Sequence, residues 1–152
     1  GLEAIGILPA GRFAGTLVGL AEQSEPGDDA PTQGFFLHPA RPDGFRFARR
    51  DGYDVTDLAF LPSGDMLVLE RRFRLLEGVS VRIRRIALDA IRPGSLVDGP
   101  EIVSLPMAAR IDNMEGLAVH RRPDGSVVLT LISDDNFSMW QRTLLLQFRL
   151  AG

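Results

Sequence analysis

Two residue types are missing from this sequence of 152 residues: there is no cysteine, and all 17 basic residues are arginine. Without cysteine there can be no disulfide, no thiolate nucleophile and no cysteine-ligated zinc. Without lysine there is no amine nucleophile or Schiff base. Zero cysteine suits either redox compartment. No run approaches the ~18 consecutive apolar residues of a membrane-crossing helix, and no export leader is visible. The sequence starts at Gly1, inside a repeated pattern and without a methionine, so it reads as a processed or truncated piece of a longer chain. A net charge of −3 creates no field favouring nucleic acid or an anionic membrane, and neither is expected as a partner. Gly-x-Ser-x-Gly is absent too, which leaves a serine hydrolase without support.

What is present is a pattern used three times. An acidic residue opens a short apolar strand, a Pro/Gly turn follows, and a second apolar strand ends at another acidic residue. The three versions run from Glu3 through Pro9-Ala10-Gly11 to Glu22, from Asp57 through Pro62-Ser63-Gly64 to Glu70, and from Glu115 through Pro123-Asp124-Gly125 to Asp134. Each is followed by further short strands with turn residues between them. The expected fold is all-β, a partial β-propeller of about three four-stranded antiparallel blades. One domain, 1–152, divides into units at about 1–54, 55–111 and 112–152, the last lacking its fourth strand. A closed propeller needs about 4–8 blades. The remainder is therefore expected from another part of the same propeller or from a homodimer partner, since an open array leaves strand edges exposed.

Blade geometry predicts that Glu3, Asp57 and Glu115, which start inner strands, share one face with Glu22, Glu70 and Asp134, which end second strands. Asp112, Asp135 and Asn136 stand nearby in sequence. Clustered carboxylates repel unless a cation neutralises them, and a set of hard oxygen donors suits calcium better than zinc. The competing reading is that these carboxylates cap inner strands by accepting hydrogen bonds from backbone amides and arginines. Asp134-Asp135-Asn136 also fits an Asx-type turn. Arg71, Arg72, Arg110 and Arg142 fall on or near the acidic face, where they could hold a phosphate or pair with the carboxylates. Arg46, Arg49, Arg82, Arg84 and Arg85 read as solvated faces of outer strands. His38, His120, Tyr53 and Trp140 read as structural, and Ser133 and Ser138 merely flank the acidic triplet.

Asp112-Asn113-Met114-Glu115-Gly116-Leu117-Ala118, then Leu131-Ile132-Ser133-Asp134-Asp135-Asn136-Phe137 and Gln141-Arg142-Thr143-Leu144-Leu145, resemble the phytase-like family described as "esterase-like activity of phytase". Gly1-Leu2-Glu3-Ala4 and Leu67-Val68-Leu69-Glu70-Arg71 resemble its earlier repeats, and the whole corresponds to the C-terminal part of the family's domain. The resemblance implies a propeller-like fold, export in bacteria to the periplasm or medium, and hydrolysis of a small-molecule phosphoester by acidic residues holding calcium. The metal positions carried over are Glu3, Glu70, Glu115, Asp134 and Asp135. Glu22, Asp57, Asp112 and Asn136 are additional acidic-face residues, and Arg71, Arg110 and Arg142 are candidate phosphate binders. The alternative is a non-catalytic binding module with structural carboxylates.

Overall fold

The computed structural model describes residues 1–22, 29–37, 43–106, 111, 113–135 and 142–151. Twelve strands follow one another: β1 (Leu2–Ile7), β2 (Leu17–Ala21), β3 (Thr32–Leu37), β4 (Asp43–Phe47), β5 (Asp54–Phe60), β6 (Met66–Arg74), β7 (Gly78–Ile86), β8 (Leu96–Val97), β9 (Glu101–Leu105), β10 (Met114–Arg121), β11 (Val127–Ser133) and β12 (Leu145–Arg149). A single 3-10 turn at Leu88–Ala90 is the only helical element among the described residues. The chain is thus all-β. Its strands form three separate sheets, ordered β1-β2-β3-β4-β8, β5-β6-β7-β9 and β10-β11-β12, none of them closed.

Apart from β8, each sheet is a meander of strands in chain order, with tight reversals specified by its turns. Pro62-Ser63-Gly64 and Pro123-Asp124-Gly125 make the same turn. The Leu61 and Arg122 amides donate to Asp65 and Ser126 carbonyls at 2.8 Å, and the two glycine amides donate back to Leu61 and Arg122. Both glycines sit at positive φ, 95° and 84°, where a side chain would be strained.

The first strands β1, β5 and β10 lie side by side, and the sheets stack through two apolar layers. In β6, Met66 and Val68 point into the layer shared with the first sheet, against Leu20, Phe36, Phe45 and Phe47. The alternate residues Leu67 and Leu69 point into the layer shared with the third sheet, against Leu117, Leu129 and Leu131. The middle sheet is therefore buried on both faces, which is why Met66-Leu67-Val68-Leu69 is an unbroken apolar run. Each such side chain contributes about 1.5–3 kcal/mol when fully buried.

The first sheet departs from the expected four-stranded unit. The first has a fifth strand, β8, drawn from the excursion between β7 and β9 and paired in parallel with β4 (Arg46↔Leu96, Phe47↔Val97). It satisfies edge groups of β4 that would otherwise be open to another strand. The third sheet has three strands among the described residues.

Candidate functional site

The three opening hairpins share an irregularity that decides where the acidic residues go. Pairing shifts by one residue between Leu2 and Ala4, between Val55 and Asp57, and between Met114 and Gly116. The residue left over in each bulge is Glu3, Thr56 or Glu115. The positions level with them on the second strand begin at Ala21, Glu70 and Ser133, opposite Leu2, Val55 and Met114. Hence Glu3, Thr56 and Glu115 are equivalent, and so are Glu22, Arg71 and Asp134. Asp57 and Glu70 each sit one position out of phase with the acids of the other two sheets. In a strand one residue is the difference between faces.

Glu70 consequently points between the first two sheets and is fully buried. Its two oxygens accept four hydrogen bonds. Arg82 Nε and Nη2 donate at 3.0 and 3.1 Å, and Arg84 Nε and Nη2 at 2.7 and 3.1 Å. Arg82 donates its remaining hydrogens to Asp51 Oδ2 and the Arg50 carbonyl; Arg84 reaches Asp98 Oδ1 and the Ala48 carbonyl. The guanidinium groups also lie over rings, Arg82 over Tyr53 at 4.0 Å and Arg84 over Phe47 at 4.2 Å. Burial opposes the charge on Arg82, but Glu70 and Asp51 more than offset it and raise its pKa. The solvated faces expected for Arg82, Arg84 and Arg49 are corrected by this arrangement: all three are buried, Arg49 against Asp54. The alternation Val81-Arg82-Ile83-Arg84 belongs to a strand covered on both sides, whose arginines are matched by the acid opposite Arg82 in the ladder.

Asp57 joins two sheets instead. Its Oδ1 accepts the Leu58 amide at 2.8 Å and its Oδ2 the Leu117 amide of β10 at 2.6 Å. Burial raises its pKa above the usual carboxylate value, and the two amides only partly oppose this.

Arg71 of the second sheet instead meets the start of the third. Arg71 Nη1 donates to Glu115 Oε1 at 2.8 Å and also to Asn113 Oδ1. Asn113 Nδ2 donates to the same Glu115 oxygen at 2.5 Å, and the Asn113 carbonyl accepts the Asp134 amide at 2.9 Å. Ser133 Oγ, one residue earlier, donates to the Arg142 carbonyl and accepts the Leu144 amide. Thr143 Oγ1 meets Asp135 Oδ2 at 3.5 Å. Asn113, Glu115, Asp134 and Asp135 thus lie at the start of β10 and just past the end of β11, with Arg71 of β6 against Asn113 and Glu115. The Arg71 and Glu115 side chains are 30% and 39% exposed, open enough to meet a ligand. A half-exposed guanidinium braced by an amide and a carboxylate can bind an oxyanion.

Glu3 and Glu22 belong to the first sheet, where the Glu22 amide donates to the Gly1 carbonyl as Asp134 does to Asn113. Arg110, Asp112 and Asn136, and with them His38, Ser138 and Trp140, lie outside the described residues. Among the described residues no three of His, Asp and Glu stand together as a metal-holding group. Asn113 stands in the Asp112-Asn113-Met114-Glu115 stretch that carries the family resemblance, but no site role is read for it from sequence; its contacts with Arg71 and Glu115 give it one.

Compared with known families, residues 1–137 match the model of the family described as phytase-like, esterase-like activity of phytase. No curated protein and no solved structure matches the chain.

Proposed function

This chain belongs to the phytase-like family, and from that premise we propose that it forms part of a phosphoester hydrolase whose ligand-facing end is built by Arg71, Asn113, Glu115, Asp134 and Asp135. The observation that carries the reading is the family match over residues 1–137. The bulges at Glu3, Thr56 and Glu115 support placing the site at this end, since bulges re-aim side chains beside active sites. They also support reading the three sheets as blades of a partial propeller. In the proposed reaction Arg71 binds a phosphate oxygen and offsets charge developing on it, while Asn113 and Glu115 hold the guanidinium in place. Arg110 and Arg142 remain candidates for the same work.

Asp134 and Asp135 would hold calcium, with Glu3 as the equivalent-end residue of the first sheet. Glu70 is withdrawn from that role because its oxygens are taken up by two arginines. Export to the periplasm or medium is part of the same proposal.

A second reading is favoured by one specific observation: Glu70, Asp57 and Glu115 all bond to arginines or backbone amides. On that reading the chain is a binding module with structural carboxylates. One assay separates the two. Phosphomonoester and phosphodiester turnover is measured with and without calcium for the wild type and for Arg71→Gln. The enzyme reading expects turnover that falls about 10²-fold or more in Arg71→Gln, the scale of losing one charge-stabilising donor. Absence of turnover on either ester, with retained folding, leaves the binding module.

A further inference from the structure

The turn between β1 and β2 and the excursion that leaves β7 enclose a pocket of about 480 Å³. Leu8 and Ile91, 1% and 2% exposed, close its bottom, while Phe13 and Leu88 form its sides. The volume lies within the range of about 300–1,000 Å³ typical of small-molecule sites, which are likewise lined mainly by apolar groups. It is far from the Arg71 end. Met66 pairs with Ile86 beside the pocket, and Arg71 stands further along β6 by about 16 Å at the usual rise of a strand.

The sides of the pocket are held in place by their own frame. The Phe13 ring rests on Phe36, with 5.1 Å between centroids. Leu88 lies on the glycines of two turns: a Cβ at Gly64 would come within 2.7 Å of its side chain, and one at Gly11 within 3.3 Å. The segment carrying Leu88 is tied at both ends. The Leu88 amide donates to Asp65 Oδ1 at 3.0 Å and the Gly94 amide to the Gly44 carbonyl at 2.7 Å. An apolar hollow braced in this way cannot close on itself, so a ligand that fills it gains contact without first ordering the site.

Three charged residues complete the lining, Arg12, Asp89 and Arg92. The Arg12 guanidinium lies over the Phe13 ring at 5.6 Å, and no described residue pairs with its charge. Arg92 Nε donates to the Asp89 carbonyl at 2.5 Å, which leaves both Nη groups without a partner among the described residues. Two guanidinium groups against one carboxylate leave the rim with a net positive charge. A ligand with a cationic head would meet both arginines and only one acid. We propose that this pocket binds a small amphipathic anion, its apolar body between Phe13 and Leu88 and its carboxylate or sulfonate head on Arg12 and Arg92. The inference does not depend on the hydrolase reading.

Two dyes of nearly the same shape test it on the full-length protein: anilinonaphthalene sulfonate, and phenylnaphthylamine, which lacks the sulfonate. Fluorescence titration should show one saturable sulfonate site, at least about fivefold tighter than that for the neutral dye. Arg12→Gln with Arg92→Gln should weaken the sulfonate about tenfold or more and change the neutral dye less than about twofold. Asp89→Asn removes the opposing charge and should tighten the sulfonate by about two- to fivefold. All three side chains belong to exposed residues, so an unchanged Tm is expected and is checked for each variant. Three results overturn the proposal: no saturable binding of either dye below about 1 mM, equal affinity for both, or a sulfonate site indifferent to the arginines. Should the double variant melt early, Asp89→Asn decides alone: tighter sulfonate binding supports the proposal and any other result refutes it.

Discussion

Replacing Glu70 by glutamine changes one oxygen to an amide nitrogen with almost no change in shape. It removes the negative charge shared by Arg82 and Arg84 and points new donors at existing ones. Breaking a buried ion pair from one side costs about 3–5 kcal/mol. Here the lower end applies, because Arg82 keeps Asp51 and Arg84 keeps Asp98, both open to water at 66% and 46%. For a chain of this size about 3 kcal/mol corresponds to a fall in Tm of about 6–12 °C. Thermal unfolding followed by circular dichroism, with calcium and with a chelator, measures it. The Tm loss is expected to be the same in both conditions. A loss below about 0.5 kcal/mol, or one present only with calcium, refutes the structural role and returns Glu70 to the metal. A compensating variant sharpens the test: Glu70→Leu with Arg82→Met and Arg84→Met should recover most of the stability, since apolar replacement of a whole buried ionic group is often neutral or better.

Asp57→Asn tests the raised pKa of Asp57. The folded protein holds its proton above the ordinary value of 3.8, so the Asp57 contribution to stability is present below 3.8 and is lost as pH rises through the folded pKa. Urea midpoints from about pH 3.5 to about pH 6.5 should show Asp57→Asn gaining on the wild type as pH rises. Parallel profiles would refute this. A constant deficit of about 1–3 kcal/mol underlies the trend, because one amide oxygen cannot accept both the Leu58 and Leu117 N–H groups. Asp65 has the opposite sign: burial opposes its ionisation, but the Leu88 amide and Arg85 prevail and lower its pKa. Asp65→Asn should lose about 1–2 kcal/mol at neutral pH, a gap that closes as pH falls through the folded pKa; a pH-independent gap would count against it. Gly34→Ala would set a Cβ 2.5–2.7 Å from three ring carbons of the buried Phe45. Its melt should show a loss of about 1–3 kcal/mol, and an unchanged Tm would mean the ring has room to move.

The strands and their reversals were legible because alternation and Pro-x-Gly turns are local. Met66 to Glu70 and Val127 to Ile132 were read as strands and are strands. The phase of the repeat was not legible. Counting acidic residues aligned Asp57 with Glu3 and Glu115, whereas the bulge aligns Thr56, and a single extra residue leaves no mark in a one-dimensional pattern. The same slip placed Glu70 on the open face. The arginines of β7 were misread for another reason. Alternation tells which residues share a face, not whether a second sheet covers it. The resolving clue was long-range, the pairing of Glu70 with Arg82 across the ladder. β8 has only two residues, too few for any period, and its partner β4 lies some fifty residues earlier.

That short strand has a mechanical consequence. Leu96 and Val97 belong to the excursion leaving the middle sheet, yet their backbone is knitted into the first, with the Arg46 and Ala48 amides bound to Ser95 and Val97 carbonyls at 2.8 and 2.9 Å. Peeling the first two sheets apart means tearing a ladder as well as separating oily surfaces. Among the described residues no comparable strap crosses to the third sheet. In a stack where each layer leans only on its neighbours, strain applied to the chain should release β10–β12 first and leave the strapped pair as the last unit to open.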